Sequence, residues 1–235
     1  NITDPDYSNY QGGFVNIAPI GNVYSENALL SYFSNLTYDF DRRYLLSFNF
    51  RRDGLSALSA GNKYGNFLGG SLGWNVSREG FFQESSLRNW VSNLKLRASY
   101  GIVGNSEIGD YPAIGAYTSS TYGGSATLNY AQAGNPDLKW ETSTKLDLGF
   151  DLTLFNDRLG IEFDYYKNLI DDLILKAPQA LSTGIPGGFI NANVGSMYNE
   201  GVELGIYGET KKKGDFKWDL NFNMATLTNK VTSLV

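Results

Sequence analysis

Two carboxylates, Asp151 and Glu162, are the residues whose spacing comes closest to supporting chemistry. They lie in the stretch WETSTKLDLGFDLTLFNDRLGIEFDYY at 140–166, where apolar and polar residues alternate with a period of two. That alternation predicts a β-hairpin with its turn at 155–158, in which opposed residue numbers sum to 313. Asp151 then faces Glu162, and opposed acids repel unless a cation, water or a shifted proton relieves them.

This acid pair has two interpretations. One is a cation site or a catalytic acid pair, and the other is a hydrated polar wall with Lys or Arg nearby. The second is favoured, because water screens the charges and no recognisable substrate pocket accompanies the acids.

Other chemistry is restricted by composition. The 235 residues contain no Cys and no His, which excludes Ser-His-Asp catalysis, Cys-His catalysis and thiolate or imidazole metal sites within them. We expect no enzyme activity, no catalytic residue, no metal site and no cofactor. The net charge of −5, with its signs scattered, also argues against nucleic acid as a partner.

The remaining candidates lie in predicted loops. Tyrosines suited to stacking on sugars or peptides, or to contacting a partner protein or lipopolysaccharide, are Tyr111, Tyr117, Tyr122, Tyr130 and Tyr198. Asp171 and Asp172 suggest a Ca²⁺ site built with loop carbonyls, although a solvated acidic loop is favoured. The glycine-rich stretch 184–188 lacks the Lys-Ser/Thr of a phosphate loop, and Lys211-Lys212-Lys213 reads as a solvated turn.

The elements that position these residues are all predicted to be strands. Alternation predicts eight of them, at 28–38, 44–52, 67–77, 94–103, 140–154, 159–166, 194–208 and 217–228. Residues 1–27 are expected to form a loop or a partial strand, and 78–93 to hold one short helical turn. No interdomain linker is visible.

Three features favour a transmembrane barrel over a soluble β-sandwich. The strand from 140 to 154 is long, and its apolar run 146–154 projects to roughly 20 Å when tilted, near the ~25 Å lipid-facing band of membrane barrels. Short charged turns at 39–43, 155–158 and 209–216 alternate with long connections at 53–66, 104–139 and 169–193. Aromatic residues, Trp140 among them, gather near both ends of the strands, as at lipid–water boundaries.

Strand parity predicts that the stretch is part of a larger barrel. If the short turns are periplasmic, both ends of an eight-stranded meander lie outside the cell, whereas complete outer-membrane barrels keep both ends in the periplasm. An open sheet would also leave two unpaired edges in lipid.

Several segments resemble the C-terminal barrel of SusC/RagA-type TonB-dependent transporters of Bacteroidetes. The similarity is expected from about residue 31 onward, and LKLRASYGIVGN at 94–105 followed by NPDLKWE at 135–141 is its most specific pair. Further similar segments are YLLSFNFRRDG at 44–54, LGGSLGWNVSREGFF at 68–82 and YNEGVELGIYG at 198–208.

The resemblance implies an all-β, antiparallel outer-membrane barrel of about 22 strands, of which residues 28–235 form about eight, without the plug domain. It further implies import of a bulky oligosaccharide or peptide, a SusD-like surface lipoprotein as lid, energy from TonB acting through the plug, and long loops outside the cell. The alternative is a structural barrel subunit of a larger outer-membrane complex that has no transport role of its own.

Overall fold

The computed structural model describes residues 26–105, 108–209 and 218–234. Eight strands form one antiparallel sheet, whose order follows the chain except that a separate two-stranded hairpin is inserted after the fourth strand. The sheet strands are β1 (Leu29–Phe40), β2 (Tyr44–Leu55), β3 (Tyr64–Asn75), β4 (Val91–Asn105), β7 (Glu141–Leu154), β8 (Leu159–Pro178), β9 (Phe189–Glu209) and β10 (Asp219–Ser233).

The inserted hairpin consists of β5 (Ala116–Tyr122) and β6 (Ser125–Gln132). Helical structure in the described residues is confined to connections. The turn α1 (Gly80–Gln83) lies between the 3₁₀ turns Val76–Arg78 and Ser86–Asn89, and two more 3₁₀ turns cover Leu181–Thr183 and Pro186–Gly188. None of the helices in these residues has the length and apolarity to cross a membrane.

The predicted meander and its central register are confirmed. Leu154 pairs with Leu159 and Asp151 with Glu162, as the sum of 313 requires. The rings of the cross-strand pair Phe150 and Phe163 stack 5.4 Å apart. The helical turn expected within 78–93 is also present as α1.

Two long predicted loops are partly wrong. The expected loop 169–193 is largely strand, because β8 continues to Pro178 and β9 begins at Phe189. A bulge between Ile170 and Leu173, with Asp172 at φ 59°, shifts the alternation there and conceals the extension. The expected loop 104–139 contains the β5–β6 hairpin, and residues 1–25 and 210–217 lie outside the described part of the chain.

The sheet has an apolar face and a polar face, and its hydrophobic core lies on neither. The apolar face stays exposed, at residues that include Leu36, Phe48, Leu72, Leu96 and Leu148. No second layer within the described residues covers it, unlike the buried inner face of a sandwich. The core is a small cap at the edge where the long connections lie, formed by Leu55, Ala57, Leu58, Phe67, Leu138 and Trp140.

Trp140 corrects one expectation. It was expected at a lipid–water boundary, yet it is buried in this cap, with its ring 5.4 Å from that of Phe67 and its indole N–H donated to the Lys63 carbonyl. The cap is a loop-built core, and its apolar side chains hold the 53–63 and 135–140 segments together. We call this edge the long-loop edge, and the opposite one the short-turn edge.

At the short-turn edge, Glu79 of the β3–β4 connection contacts the β1–β2 turn and the adjoining ends of β2 and β3. Its carboxylate accepts a hydrogen bond of 2.9 Å from the Trp74 indole and lies 3.7 Å from the Arg43 guanidinium. Hydrogen bonding, from Tyr44 first and then Trp74, lowers the pKa of Glu79 below its ordinary value. The connection that carries α1 is therefore fixed to the sheet by an ionised acid.

Candidate functional site

The tyrosines predicted to bind a ligand or partner do not converge on one site. Tyr117 and Tyr130 form a cross-strand pair of the β5–β6 hairpin, with ring centroids 5.3 Å apart. Tyr122 is 84% exposed but lies on the other face of the hairpin, because five residues separate it from Tyr117 and strand side chains alternate. Only the first pair makes a continuous aromatic surface.

Two further predicted tyrosines are placed elsewhere. The Tyr111 hydroxyl accepts a hydrogen bond of 3.1 Å from the Glu26 amide, so this ring ties the hairpin's base to the start of the sheet. Tyr198 lies within β9, on the apolar face, with the Lys167 ammonium 4.9 Å from its ring centroid. Neither shares a surface with the Tyr117–Tyr130 pair.

The segment 135–141, NPDLKWE, fastens the long-loop edge together. The Asn193 side chain bonds both the amide and the carbonyl of Lys139, each at 2.9 Å, and the Asp172 carbonyl at 2.8 Å. Lys139 forms an ion pair of 2.8 Å with Asp172, and Ser59 donates to the Pro136 carbonyl at 2.5 Å. This segment therefore joins the β2–β3 connection to the extended part of β8 and β9.

That ion pair also bears on the proposed acidic loop. Asp171 and Asp172 belong to β8 and not to a loop, and Asp172 is neutralised by Lys139. Within the described residues, no group of three or more acids is arranged to hold a metal ion.

The opposed acids Asp151 and Glu162 lie on the polar face with a cation beside them. Arg97 of β4 contacts Asp151 at 2.8 Å and Asp164 at 3.0 Å. Gly149 leaves the space that the Asp164 carboxylate occupies, since a Cβ there would overlap it. The interpretation as a polar wall with an arginine nearby is therefore the one that the geometry supports.

Cross-strand registers arrange the polar face in rows that sequence alone did not reveal. The charged rows, near the short-turn edge, contain Lys95, Arg97, Asp151, Glu162, Asp164 and Glu203. The next row, the hydroxyl row, runs from β1 to β8 through Thr37, Ser47, Ser71, Ser99, Asp147 and Tyr166. The row beyond it, the asparagine row, spans all eight strands through Asn35, Asn49, Gly69, Gly101, Lys145, Asn168, Asn199 and Asn229.

These rows are suited to binding and not to reaction. Amides and hydroxyls donate and accept hydrogen bonds without ionising near neutral pH. The Ser47 and Ser71 hydroxyls are 2.7 Å apart, and the Asn229 amide donates to Asn199 at 2.6 Å. The only signal in the sequence is a polar residue at every second position, and that pattern does not say which residues of different strands adjoin.

Comparison with known proteins agrees with this architecture. The profile of the family described as TonB dependent receptor-like, beta-barrel, matches residues 1–233, which extends the similarity upstream of the expected residue 31. The chain is 36% identical over 233 residues to TonB-dependent receptor P3 of Formosa agariphila, covering 97% of this chain and 23% of the relative. It is 33% identical over 218 residues to TonB-dependent receptor SusC of Bacteroides thetaiotaomicron, covering 89% and 21%.

A solved structure gives the same result. The RagAB peptide importer in its closed-closed state matches with a TM-score of 0.81 and 33% identity, over 92% of this chain and 23% of that one. The chain thus spans less than a quarter of the length of these relatives.

Proposed function

Because this chain belongs to the family of TonB-dependent receptor-like β-barrels, we propose that it forms part of the wall of an outer-membrane importer of a bulky nutrient, an oligosaccharide or a peptide. One observation carries the proposal most strongly. In the described residues, an eight-stranded sheet has an apolar face that no second layer covers and hydrogen-bonding rows on its other face. A wall between lipid and an aqueous passage needs both faces.

The proposal assigns a medium to each surface. The apolar face meets lipid, the polar face lines the lumen, and the long-loop edge lies outside the cell. The cap of buried residues supports this orientation, because it stiffens long connections where an incoming nutrient would first meet the barrel. The short-turn edge, with Glu79 and α1, then faces the periplasm.

The proposed partners follow from the relatives. SusC and the RagAB importer support a surface lipoprotein of the SusD type as lid and TonB as the energy source, acting through a plug outside the 235 residues. The Tyr117–Tyr130 pair on its projecting hairpin is the proposed contact with the lid or with the arriving oligosaccharide or peptide. Tyr122 would present an aromatic contact on the opposite side of the hairpin. Tyr111 would hold the base of the hairpin to the sheet, and Tyr198, on the apolar face, would lie next to lipopolysaccharide.

The test uses the full-length protein in its native outer membrane. Cells with and without the gene are given fluorescently labelled maltodextrins and, separately, labelled peptides from a casein digest, and uptake is measured before and after TonB depletion. We expect the gene and TonB to be required for accumulation of one of the two labels. Uptake that is unaffected by both losses, together with loss of a larger outer-membrane complex on deletion, would instead favour a structural subunit.

A further inference from the structure

The asparagine row is improbable as a product of strand preference alone. Asn is depleted in strands because its side chain competes for backbone hydrogen bonds and packs poorly on a pleated surface. Even so, five of the eight positions in this row are Asn, and two of the others are Gly. An arrangement that opposes intrinsic preference on five separate strands requires a gain from something that the amides bind.

The hydrogen bonds that the row's side chains make account for only part of their capacity. Asn199 and Asn229 share one hydrogen bond of 2.6 Å, and Asn168 accepts one of 2.6 Å from Ser143. Each amide offers two donors and two acceptor lone pairs, so most of the capacity remains after these bonds. Asn35 and Asn49 are exposed on the polar face, where their amides are accessible.

The charges near the row restrict what it recognises. Lys145 is the only ionised residue of the asparagine row, and Asp147 is the only carboxylate of the adjoining hydroxyl row. Both lie on β7, two residues apart, so the β1–β4 part of the two rows carries amides, hydroxyls and glycines without a charge. Asp151, Asp164 and Arg97 lie farther towards the short-turn edge. On the long-loop side of Asn49, Arg51 is paired with Asp53 at 2.6 Å.

The dimensions suit an extended chain. Neighbouring strands are about 4.8 Å apart, so a row across eight strands measures roughly 34 Å along the wall, and the two rows are separated by about 6.6 Å. Gly69 and Gly101 lie side by side within the row. The Asn49 amide extends over Gly69, whereas no side chain lies within 4 Å of the place where a Cβ of Gly101 would be, so the row is open above Gly101, next to Lys145. A linear molecule can lie along such a track and exchange hydrogen bonds with one strand after another.

We propose that the asparagine row, backed by the hydroxyl row, is a cargo-binding track on the lumen wall that recognises uncharged groups able both to donate and to accept hydrogen bonds. Sugar hydroxyls and peptide amides share this chemistry. The proposal rests on the importer function above and adds to it the residues that contact the cargo and the reason that they favour an uncharged chain. Tyr117 and Tyr130 would make the first contact outside, and the row the next one inside.

The test measures binding by the full-length protein, purified with its native partners, using two probes. One is maltoheptaose, which presents hydroxyls, and the other is an uncharged octapeptide of Ala, Ser and Gly, which presents amides. The variant Asn35→Ala/Asn229→Ala is compared with Asn221→Ala/Asn223→Ala, which removes two amides from β10 on the same face but outside the row. Asn49→Ala/Asn168→Ala serves as a second row variant, in case the first fails to assemble.

We expect one probe to bind the wild type, and its Kd to rise about tenfold or more in a row variant, since each lost neutral hydrogen bond corresponds to a threefold to tenfold change. The control variant should change Kd less than twofold. Equal Kd values in row and control variants, or no binding of either probe by a protein that still supports TonB-dependent uptake, would overturn the track. Absence of TonB-dependent uptake in the wild type would instead overturn the importer proposal itself.

Discussion

Leu138→Ala is the substitution that most directly tests how the long-loop edge is held. Leu138 is 0% exposed and packs in the cap formed with Leu55, Leu58, Phe67 and Trp140. Leu138 also lies within NPDLKWE, the segment whose Lys139 backbone is bonded by the Asn193 side chain. The buried Leu138 side chain therefore fixes the same segment. If the cap is a true core, truncating Leu138 opens the loops on both sides of it.

The magnitude follows from burial. A fully buried Leu shortened to Ala loses its transfer free energy and leaves a cavity, at a cost of about 3–5 kcal/mol at such a site. Native-state hydrogen exchange reports the free energy of local opening, and tenfold in exchange rate corresponds to about 1.4 kcal/mol. Amides of the cap should therefore exchange roughly 100- to 4,000-fold faster, up to the rate of an unprotected loop.

The assay is hydrogen exchange with mass spectrometry on the full-length protein. The reporting amides are those of Leu55, bonded to the Lys63 carbonyl at 3.0 Å, and Lys139, bonded to the Asn193 side chain at 2.9 Å. Leu128→Ala is the matched control, because Leu128 is 71% exposed on the hairpin. A change of less than tenfold in the cap of the Leu138 variant, or an equal change in the control, would refute the cap as the element that rigidifies these loops.

Three further predictions concern the sheet. Arg97→Met leaves Asp151 and Asp164 without their cation and should lower the free energy of unfolding by about 1–3 kcal/mol, a range reduced because the three groups are partly exposed. Urea titration in micelles measures this loss. An equal loss in Lys95→Met would contradict the prediction. Because the folded pKa of Glu79 lies below its ordinary 4.5, its stabilisation is complete above pH 4.5 and is lost as pH falls through the folded value. The protection of the 76–83 amides, measured as exchange relative to the intrinsic rate at each pH, should therefore fall with acid in the wild type but not in Glu79→Gln. Parallel protection profiles would disprove the linkage. Gly149→Ala forces a Cβ against the Asp164 carboxylate and should lower the free energy of unfolding by about 1–3 kcal/mol. A Cβ at Gly205 has ordinary clearance, so Gly205→Ala should cause a smaller loss in the same urea titration.

Sequence periodicity was sufficient for the sheet where the alternation is unbroken. From Leu146 to Leu154 and from Leu159 to Tyr165, every second residue is apolar, and the short turn leaves one register in which Phe150 meets Phe163. It failed where the backbone departs from the pleat. The bulge at Ile170–Leu173 moves side chains to the other face, so the extension of β8 looked aperiodic and was predicted to be loop. The β5–β6 hairpin was missed because its Ser, Thr, Gly and Tyr residues are as common in loops as in strands.

Local sequence patterns predicted the candidate site less well than the sheet, because the residues that adjoin on a sheet are decided by how the strands pair. The five tyrosines were grouped by residue type and by predicted loop, yet the structure leaves only Tyr117 and Tyr130 adjacent. The asparagine row shows the converse. Successive Asn residues of the row are 14 to 119 residues apart along the chain, and no local sequence pattern connects them. A slip of one residue in any single register would turn part of the row to the apolar face.

That dependence on register also separates the cargo track from a simpler explanation. If the asparagines served only to lock neighbouring strands, each would need a bonded partner in the adjacent strand, as Asn199 has in Asn229. Asn49 instead faces Gly69, which has no side chain with which to bond, and Gly69 in turn faces Gly101. Gly69 leaves the space that the Asn49 amide occupies, and Gly101 leaves the space beside it open, so neither glycine locks strands through a side-chain bond. A row in which two glycines and a lysine interrupt the amides is therefore better suited to contact with a ligand than to adhesion between strands.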